Sequence, residues 1–301
     1  MPAARISLAQ WQTFLAVVDH GGYAQAAEAL NKGQSTVSYA VGRLESLLDV
    51  KVFRLEGRRA VLTEAGQLLY RRARLLVEEA GELEKAARNV AAGWEAEIRL
   101  AVDQIFPMDT LFDSLARFSD EQPHTRIELR ESVLSGASEA LLQGEADLAI
   151  SGKLPQGFLA DPLLNLRFIA VAHPEHALHR LGRTLEFEDL QRHRQIVVRD
   201  SGSLRATDSG WLGAEQRWTV SQMSTSIRAI AAGNGFAWLP ELKIADLLAA
   251  GKLKPLPLRE GRERSAQLFL IYADREYAGP GVKRLGELLR QTVARDCARH
   301  E

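Results

Sequence analysis

Two helical patterns separated by a three-residue turn constrain the fold of this chain most strongly. The first, residues 24–30, is rich in alanine, and the turn at residues 31–33 follows it. The second pattern covers residues 34–48, with apolar residues at the helical positions Val37, Val41, Leu44 and Leu48. Small alanine side chains let two helices cross closely. This is typical of a helix-turn-helix, whose second helix enters the major groove of DNA.

A third helix and a hairpin flank this pair. The apolar spacing over residues 8–19 predicts a helix before it. After it, residues 50–53 and 60–62 are β-prone and enclose a short polar stretch, which predicts a two-stranded wing. We therefore expect a winged helix-turn-helix domain over residues 1–62.

The candidates for DNA contact lie on the second helix of the pair and on the wing. The formal net charge of the chain is -1, so any attraction to nucleic acid must come from a local surface. The helix has a polar outer face, and arginines on a hairpin can clamp the DNA backbone or enter a minor groove. The candidates are Gln34, Ser35, Thr36, Ser38, Tyr39 and Arg43 on the helix and Arg54, Arg58 and Arg59 on the wing. Two alternatives stay open: Ser38 could bond its own helix, and the arginines could be a solvated run of charge.

A long helix is predicted over residues 63–92, with Thr63 as its N-cap. Along it, small and large apolar residues each recur every seven positions, as in the heptads of a coiled coil. The residues assigned to dimerisation are Leu69, Ala73, Leu76, Ala80, Leu83, Ala87 and Val90. So narrow a stripe needs a partner helix, which predicts a homodimer or a homotetramer. The alternative is that the stripe packs on its own domain.

From residue 93 onward, the pattern changes to alternating strands and helices. This alternation is typical of an α/β domain with mainly parallel sheets. Strands are expected at residues 98–102, 126–131, 147–151, 168–172, 195–198, 218–220, 236–239 and 267–272, and helices at 107–118, 137–142, 223–232, 242–250 and 282–295.

These segments resemble the LysR-type regulator family. The resemblance is dense over residues 8–66, including the wing residues Phe53-Arg54, and it continues in residues 141–150 and 231–240. It implies a sequence-specific transcription regulator with a winged helix-turn-helix, a long linker helix and a two-lobed α/β effector domain like that of periplasmic binding proteins. The implied partners are a double-stranded DNA operator, a small-molecule effector, further copies of the chain and RNA polymerase. Members often carry Pro and a cationic residue where this sequence has Ser35 and Tyr39, so a different base preference is expected.

The resemblance also implies a ligand cleft between lobe one, residues 93–165 and 268–301, and lobe two, residues 166–267. Ligands of open parallel sheets lie beyond the carboxyl ends of the strands. The candidates at those positions are Asp103, Gln104, Ile105, Ser132, Ser151, Ser201, Gly202, Ser203, Met223, Ser224 and Thr225. Helix capping is the alternative for Ser201 and Ser224. The Asp103 carboxylate would repel an acid unless Arg199 or Arg205 offset it, so a neutral, zwitterionic or amine-bearing effector is expected at least as much as a carboxylic acid.

Other classes of function find less support in the sequence. Cys297 is the single cysteine, which excludes an intrachain disulfide. His173, His176 and His179 are spaced three apart, but Pro174 interrupts them, and we expect no metal or other cofactor. The competing hypothesis is an enzyme or a solute receptor whose N-terminal helices are an interaction module. The sequence shows no nucleophile motif or phosphate loop that would support an enzyme, and no secretion signal that would support a solute receptor. No window holds the roughly 18 apolar residues of a membrane span, so we expect a cytoplasmic protein without a membrane partner.

Overall fold

The computed structural model of the chain describes residues 4–56, 59–203 and 210–300. The chain divides into an N-terminal unit, Met1–Ala92, and a C-terminal unit, Gly93–Glu301. The division falls at the predicted end of the long helix.

Three short helices, a wing and a long helix form the N-terminal unit. The elements are α1 (Leu8–Asp19), α2 (Tyr23–Ala29), α3 (Gln34–Leu48), β1 (Phe53–Glu56), β2 (Arg59–Leu62) and α4 (Glu64–Ala91). Ser7 begins α1 because its side chain accepts the N–H of Gln10, whose own side chain accepts the N–H of Ser7. Helix α3 ends at Asp49, which adopts the left-handed conformation.

The core of this unit lies between α1, α2 and α3. Phe14, Val37 and Leu44 are completely buried in it, and the ring of Phe53 packs edge-on against Phe14 at 5.7 Å between centroids. Their period-3.6 spacing brings them to one side of each helix. The predicted helical spacing at residues 8–19 and 34–48 is therefore confirmed.

The wing begins later than the sequence predicts, at residue 53 instead of residue 50. Residues 51 and 52 lie outside the ladder because their backbone groups have other partners. The Val52 N–H donates to the Glu45 carboxylate at 2.8 Å, and the Lys51 carbonyl accepts the Thr63 hydroxyl at 2.6 Å. Thr63 also accepts the N–H of Gly66 at 3.0 Å, as expected for the N-cap of α4.

The start of α4 passes very close to the strand that leads into the wing. A Cβ atom at Gly66 would lie 2.1 Å from the carbonyl oxygen of Val52. Any side chain at this position would collide with backbone, so the contact requires glycine.

The C-terminal unit alternates strands and helices. The elements are β3 (Glu97–Asp103), α5 (Met108–Glu121), β4 (Arg126–Ser132), α6 (Gly136–Leu142), β5 (Leu148–Ser151), β6 (Ala160–Ala172), α7 (Ala177–Arg180), α8 (Phe187–Gln191), β7 (Arg194–Val198), β8 (Gln216–Val220), α9 (Met223–Ala231), β9 (Phe236–Pro240), α10 (Glu241–Ala249), β10 (Lys254–Pro255), β11 (Glu263–Tyr272) and α11 (Pro280–His300).

The strands form one hydrogen-bonded path, in the order β4-β3-β5-β11-β6-β9-β7-β8, with β10 beside β6. The pairs β3–β4, β3–β5, β7–β8 and β7–β9 are parallel. We call the part built on β4, β3 and β5 lobe one, and the part built on β9, β7 and β8 lobe two. The lobes are joined by β6 and β11, which run antiparallel to each other.

The expectation of mainly parallel sheets is wrong for the middle of this path. The pairings of β11 with β5, of β11 with β6, and of β6 with β9 and β10 are all antiparallel. Both crossing strands are also longer than predicted, since β6 begins at residue 160 and β11 at residue 263. Asp161 and Pro162 interrupt the apolar pattern of β6, and the register of the pair shifts between Leu268 and Phe269, opposite Pro162.

Each lobe has its own buried core. In lobe one, Leu100 and Leu148 of the sheet pack with Leu111 of α5 and Leu285 of α11. In lobe two, separate clusters cover the two faces of the sheet. Within the described ranges, no helix has the length and the apolar character that a membrane span needs.

Candidate DNA-binding surface and interlobe cavity

The outer face of α3 is polar and exposed. Gln34, Ser35, Thr36, Ser38, Tyr39 and Arg43 are all solvent-exposed, whereas Val37, Val41 and Leu44 are buried beneath them. Among them, Tyr39 has 74% of its surface exposed. Among the described residues, no hydrogen-bond partner is found for the Ser38 side chain, which argues against the back-bonding alternative. All six predicted helix residues thus lie on one surface.

The wing is tied to α3 through Glu45. Its carboxylate accepts the Val52 N–H at 2.8 Å and the Phe53 N–H at 3.4 Å, and it pairs with Lys51 at 2.7 Å. Of the predicted wing arginines, Arg54 is exposed on β1. Arg58 lies outside the described residues, and Arg59 is described only as backbone of β2.

The stripe on α4 serves two purposes, so the assignment of all its members to dimerisation is wrong for the first turns. Ala73 is only 3% exposed and Leu69 is half-buried, because both pack on the core of their own unit. The Tyr70 hydroxyl also donates to Asp19 of α1. This part of the helix therefore packs on its own domain, as the alternative interpretation proposed.

Further along α4, the apolar side chains are exposed. Leu76 is 50% and Leu83 72% exposed, Ala80 is half-buried and Ala87 is exposed, while the side chain of Val90 is outside the described part of the chain. Leu68 and Leu75, which the heptad analysis missed, are 51% and 60% exposed. The apolar surface available to a partner is therefore broader than the predicted stripe.

A cavity of about 540 Å³ lies between the lobes and extends into lobe two. Its lining includes Asp103, Gln104 and Ile105 after β3 and Met223 at the start of α9, four of the predicted effector residues. It also includes side chains of β7, β8, β9 and β11 that the sequence did not point to.

Two predicted serines have structural roles instead. Ser132 is buried and donates to the Val102 carbonyl at 3.2 Å. Ser151 is buried against the Ser138 hydroxyl at 3.0 Å and accepts the Lys153 N–H at 3.1 Å. Both hydroxyls are occupied in joining lobe-one elements, and neither lines the cavity. The prediction that they contact the effector is not supported.

Ser201, Gly202 and Ser203 form a seam with lobe one rather than a ligand site. The Ser201 hydroxyl accepts the Val133 N–H at 2.8 Å, and the Ser203 N–H donates to Glu139 at 2.6 Å. Gly202 lies so close to Ser135 that a Cβ atom would collide with its hydroxyl. Ser224 and Thr225 are exposed on α9 and do not line this cavity. The strand-end rule pointed to an edge of the sheet where the structure has both a cavity and contacts between the lobes, and it could not separate the two.

Two further groups complete the seam. The Asp200 carboxylate accepts the N–H and the hydroxyl of Ser135, at 3.0 and 2.8 Å. On the other side, the Gln104 side chain accepts the Met223 N–H at 2.9 Å and so caps α9 of lobe two from lobe one.

Asp103 lines the cavity, but its carboxylate is engaged by backbone N–H groups. It is 3% exposed, and its two carboxylate oxygens accept the N–H groups of Ile105 and Leu134, each at 3.1 Å. Burial raises the pKa of Asp103 to about 6, and Lys243 acts in the opposite direction. The non-glycine Leu134 is held at a φ of 53°, in the left-handed region, where the Asp103 bond supports it.

The cavity lining contains Arg199, which was expected to offset the Asp103 carboxylate, together with further cations. Among the described lining residues there are four cations and two acids, a surplus of two positive charges. Both acids are held by N–H or O–H donors of the protein, and Arg205 lies outside the described residues. The lining residues are Lys153, Arg199, Arg217 and Arg264 against Asp103 and Asp200.

The histidine-rich loop of lobe two is part of the packing. The His176 ring accepts the Leu178 N–H at 3.2 Å, which caps α7, and lies 5.2 Å from the ring of His193. Burial, together with neighbouring histidines, lowers the pKa of His176 to about 4. Within residues 4–56, 59–203 and 210–300, no three His, Cys, Asp or Glu side chains are arranged to hold a metal ion.

Comparison with known protein families gives two matches. Residues 8–67 match the model of the bacterial regulatory helix-turn-helix proteins of the lysR family, and residues 91–294 match the LysR substrate binding domain. The chain belongs to the LysR-type transcriptional regulators. Members of this family bind DNA and effector molecules and oligomerise.

Individual relatives agree with this family. The chain is 30% identical over 244 residues to the probable HTH-type transcriptional regulator YhaJ of Escherichia coli K12, covering 79% of this chain and 82% of that protein. It is 29% identical over 275 residues to the HTH-type transcriptional regulator CrgA of Neisseria meningitidis, covering 86% and 88%.

Full-length solved structures show the same fold. LysG of Corynebacterium glutamicum matches with a TM-score of 0.52 and 21% identity, over 97% of this chain and 99% of that chain. The structure of CrgA from Neisseria meningitidis matches with a TM-score of 0.52 and 23% identity, again over 97% and 99%. In this LysR-type regulator, α3 therefore occupies the position of the second helix of the helix-turn-helix, and the cavity lies within the substrate-binding domain.

Proposed function

We propose that this LysR-type regulator reads an operator with the outer face of α3 and the wing, while a small molecule in the interlobe cavity controls that binding. The observation that carries the DNA part is the division of α3 into a buried apolar side and an exposed polar side of six residues. A helix with these two sides can dock in a major groove without losing its own core contacts.

Within this proposal, the winged helix-turn-helix covers residues 1–62, the linker 63–92 and the effector domain 93–301. Gln34 and Ser38 face base edges, while Arg43, Arg54, Arg58 and Arg59 contact phosphates or a minor groove. Since Ser35 and Tyr39 stand where many members carry Pro and a cation, Tyr39 contributes a phosphate or sugar contact through its hydroxyl.

The linker helix makes the regulator a homodimer or a homotetramer. Support comes from the exposed leucines of α4, which a monomer would leave in water. Two winged helix-turn-helix domains paired in this way suit an inverted-repeat operator, whose half-sites lie about one or more helical turns of DNA apart.

The effector acts by shifting an equilibrium between arrangements of the lobes. The seam formed by Ser135, Asp200 and Ser201 holds one arrangement. A small molecule can bias that equilibrium only through its different affinity for the arrangements. LysG of Corynebacterium glutamicum has also been solved with arginine bound as its effector; for this chain, that structure supports only the ability of such a domain to accept a small metabolite.

The remaining parts of the proposal follow from this role. A regulator of this family acts by binding, so we propose that the chain is not an enzyme and needs no cofactor. It works in the cytoplasm, where the operator is, and contacts RNA polymerase from a site near a promoter.

The test measures binding of the full-length protein to the DNA upstream of its own gene by fluorescence anisotropy at several salt concentrations. We expect affinity to fall steeply with salt, and the double variant Gln34→Ala, Ser38→Ala to lose discrimination between operator and random duplex by roughly 1–3 kcal/mol per base contact. Ser46→Ala, an exposed serine near the other end of α3, is the matched control. Salt-insensitive binding, or a double variant that discriminates as well as the control, would contradict the proposal.

A further inference from the structure

The part of the cavity inside lobe two is a distinct chamber on one face of the sheet. Gln195 lies opposite both Arg217 and Phe236, and Arg264 lies opposite Phe168, so the members of each pair share a face. Trp238 is two residues from Phe236 and therefore lies on that face as well. Trp211 packs against it, 6.0 Å from Trp238. Alternation along five strands, together with the packing of Trp211, thus brings two arginines, an amide and four aromatic rings together.

Arg264 is a cation to which the described residues of this chamber offer no acidic partner. Its guanidinium lies 4.1 Å from the centre of the Trp238 ring, and burial lowers the pKa of the group. Among the described residues, no carboxylate pairs with it, and burial alone accounts for the direction of its pKa shift. Stacking on an aromatic face leaves the N–H edges of a guanidinium directed elsewhere. A half-buried cation of this kind is stabilised when an anion binds to it.

Gln195 sets a second, independent requirement for a bound molecule, which is a hydrogen-bond donor. It is only 4% exposed, and its side-chain nitrogen donates to the Trp211 carbonyl at 2.7 Å. Because a carbonyl can only accept, this bond fixes the orientation of the amide. The other atom, Oε1, is buried and has no hydrogen-bond partner in the described part of the chain. A buried acceptor is normally satisfied, so Oε1 calls for a donor from a bound molecule.

The walls of the chamber are aromatic and fixed. The indole nitrogen of Trp238 donates to the Gly261 carbonyl at 2.7 Å, which holds the ring, and Trp211 stacks on Phe187 at 5.5 Å. Flat rings held in place favour a flat or apolar ligand body.

We propose that the lobe-two chamber binds a small carboxylic acid with a flat apolar body and one hydrogen-bond donor. The carboxylate pairs with Arg264, the body lies against Trp211 and Trp238, and a hydroxyl or amino group donates to Oε1 of Gln195. This inference rests on the proposed function and names the chemical class of its effector. Acids and zwitterions meet these requirements, whereas simple amines lack the anion.

The test uses isothermal titration of the full-length protein with matched probes. 4-Hydroxybenzoate and 4-hydroxyphenylacetate carry both groups, benzoate and phenylacetate lack the donor, and tyramine lacks the anion. We expect the hydroxy acids to bind more tightly than their partners and tyramine not to bind. Arg264→Gln should lower the binding affinity for the acids about 10- to 100-fold, as expected for the loss of a charged hydrogen bond. Gln195→Leu should remove the advantage of the hydroxyl.

Arg262→Gln is the control, since Arg262 is exposed two residues away on the same segment. The unfolding temperature of each variant identifies a variant that has lost its fold, and Arg264→Lys, which keeps the charge, should retain part of the affinity. The inference is overturned if tyramine binds best, if no acid binds, or if the acids bind Arg264→Gln as tightly as Arg262→Gln.

Operator binding, measured on the same proteins, separates this inference from the function on which it rests. If an acid binds through Arg264 but never changes operator affinity, the effector part of the proposed function fails while the chemical class stands. If another molecule changes operator affinity independently of Arg264, the chemical class fails while the function stands.

Discussion

The exposed leucines of α4 allow a quantitative prediction about assembly. Leu76 is 50% and Leu83 72% exposed in the single chain. Complete burial of a leucine contributes roughly 2 kcal/mol. Scaled by exposure, the two side chains contribute about 1 and about 1.5 kcal/mol in each protomer, or about 5 kcal/mol in a dimer. The double variant Leu76→Glu, Leu83→Glu should therefore raise the dissociation constant by roughly three to four orders of magnitude, before charge repulsion is added.

Sedimentation equilibrium over a range of concentrations measures this change directly. Lys85→Gln is the matched control, because Lys85 is exposed two residues beyond Leu83, on the opposite side of the helix, and the change also makes the net charge more negative. The double variant should keep the circular dichroism of the parent, since neither leucine belongs to the buried core of the N-terminal unit. Its unfolding temperature should fall, because association stabilises the folded chain. An unchanged oligomeric mass at concentrations where the parent is associated would refute a role of this surface in assembly.

Three further outcomes are expected. Gly66→Ala should destabilise the N-terminal unit by about 1–3 kcal/mol, whereas Gly81→Ala, which meets nothing within 4 Å on the same helix, should be neutral or stabilising; amide exchange in residues 8–66 compares them. Asp200→Ala leaves the Ser135 N–H without its acceptor, so exchange at residues 133–136 should accelerate relative to the exposed control Asp246→Ala. Because the pKa of His176 is lowered from 6.5 to about 4 in the folded protein, its stabilising effect is present above pH 6.5 and is lost as the pH falls towards 4. His176→Asn, which retains a capping acceptor, should flatten this pH dependence in thermal unfolding scans.

Much of the N-terminal unit could be predicted because its signals are local. The spacing of apolar residues gave α1 and α3 with their observed bounds, and the same spacing separated the buried Val37 from the exposed Ser38. The spacing could not show which part of a helix packs on its own unit and which part remains exposed. Ala73 and Ala87 occupy equivalent heptad positions, yet Ala73 is buried in the core of its own unit while Ala87 is exposed.

The candidate effector site was less accessible to sequence reasoning because it depends on long-range pairing. Gln195 follows Arg194 at the start of an otherwise apolar strand, and only its neighbours across β8 and β9 reveal that it faces a cavity. Arg264 lies in a polar stretch that gave no strand signal, although it forms part of β11. A pattern of polar residues at strand ends was enough to find Asp103 and Gln104, but not to distinguish a ligand contact from a contact between lobes.

The Glu45 carboxylate, which receives two N–H groups from the entrance to the wing, has an evolutionary consequence. The recognition helix α3 and the wing are joined into one rigid DNA-binding surface. A substitution that changes the orientation of one therefore changes the orientation of the other. Changes of operator preference should consequently show epistasis, with replacements at Ser35 or Tyr39 giving different results depending on the residue at position 54. New binding specificities would then arise from paired changes in α3 and the wing more readily than from single ones.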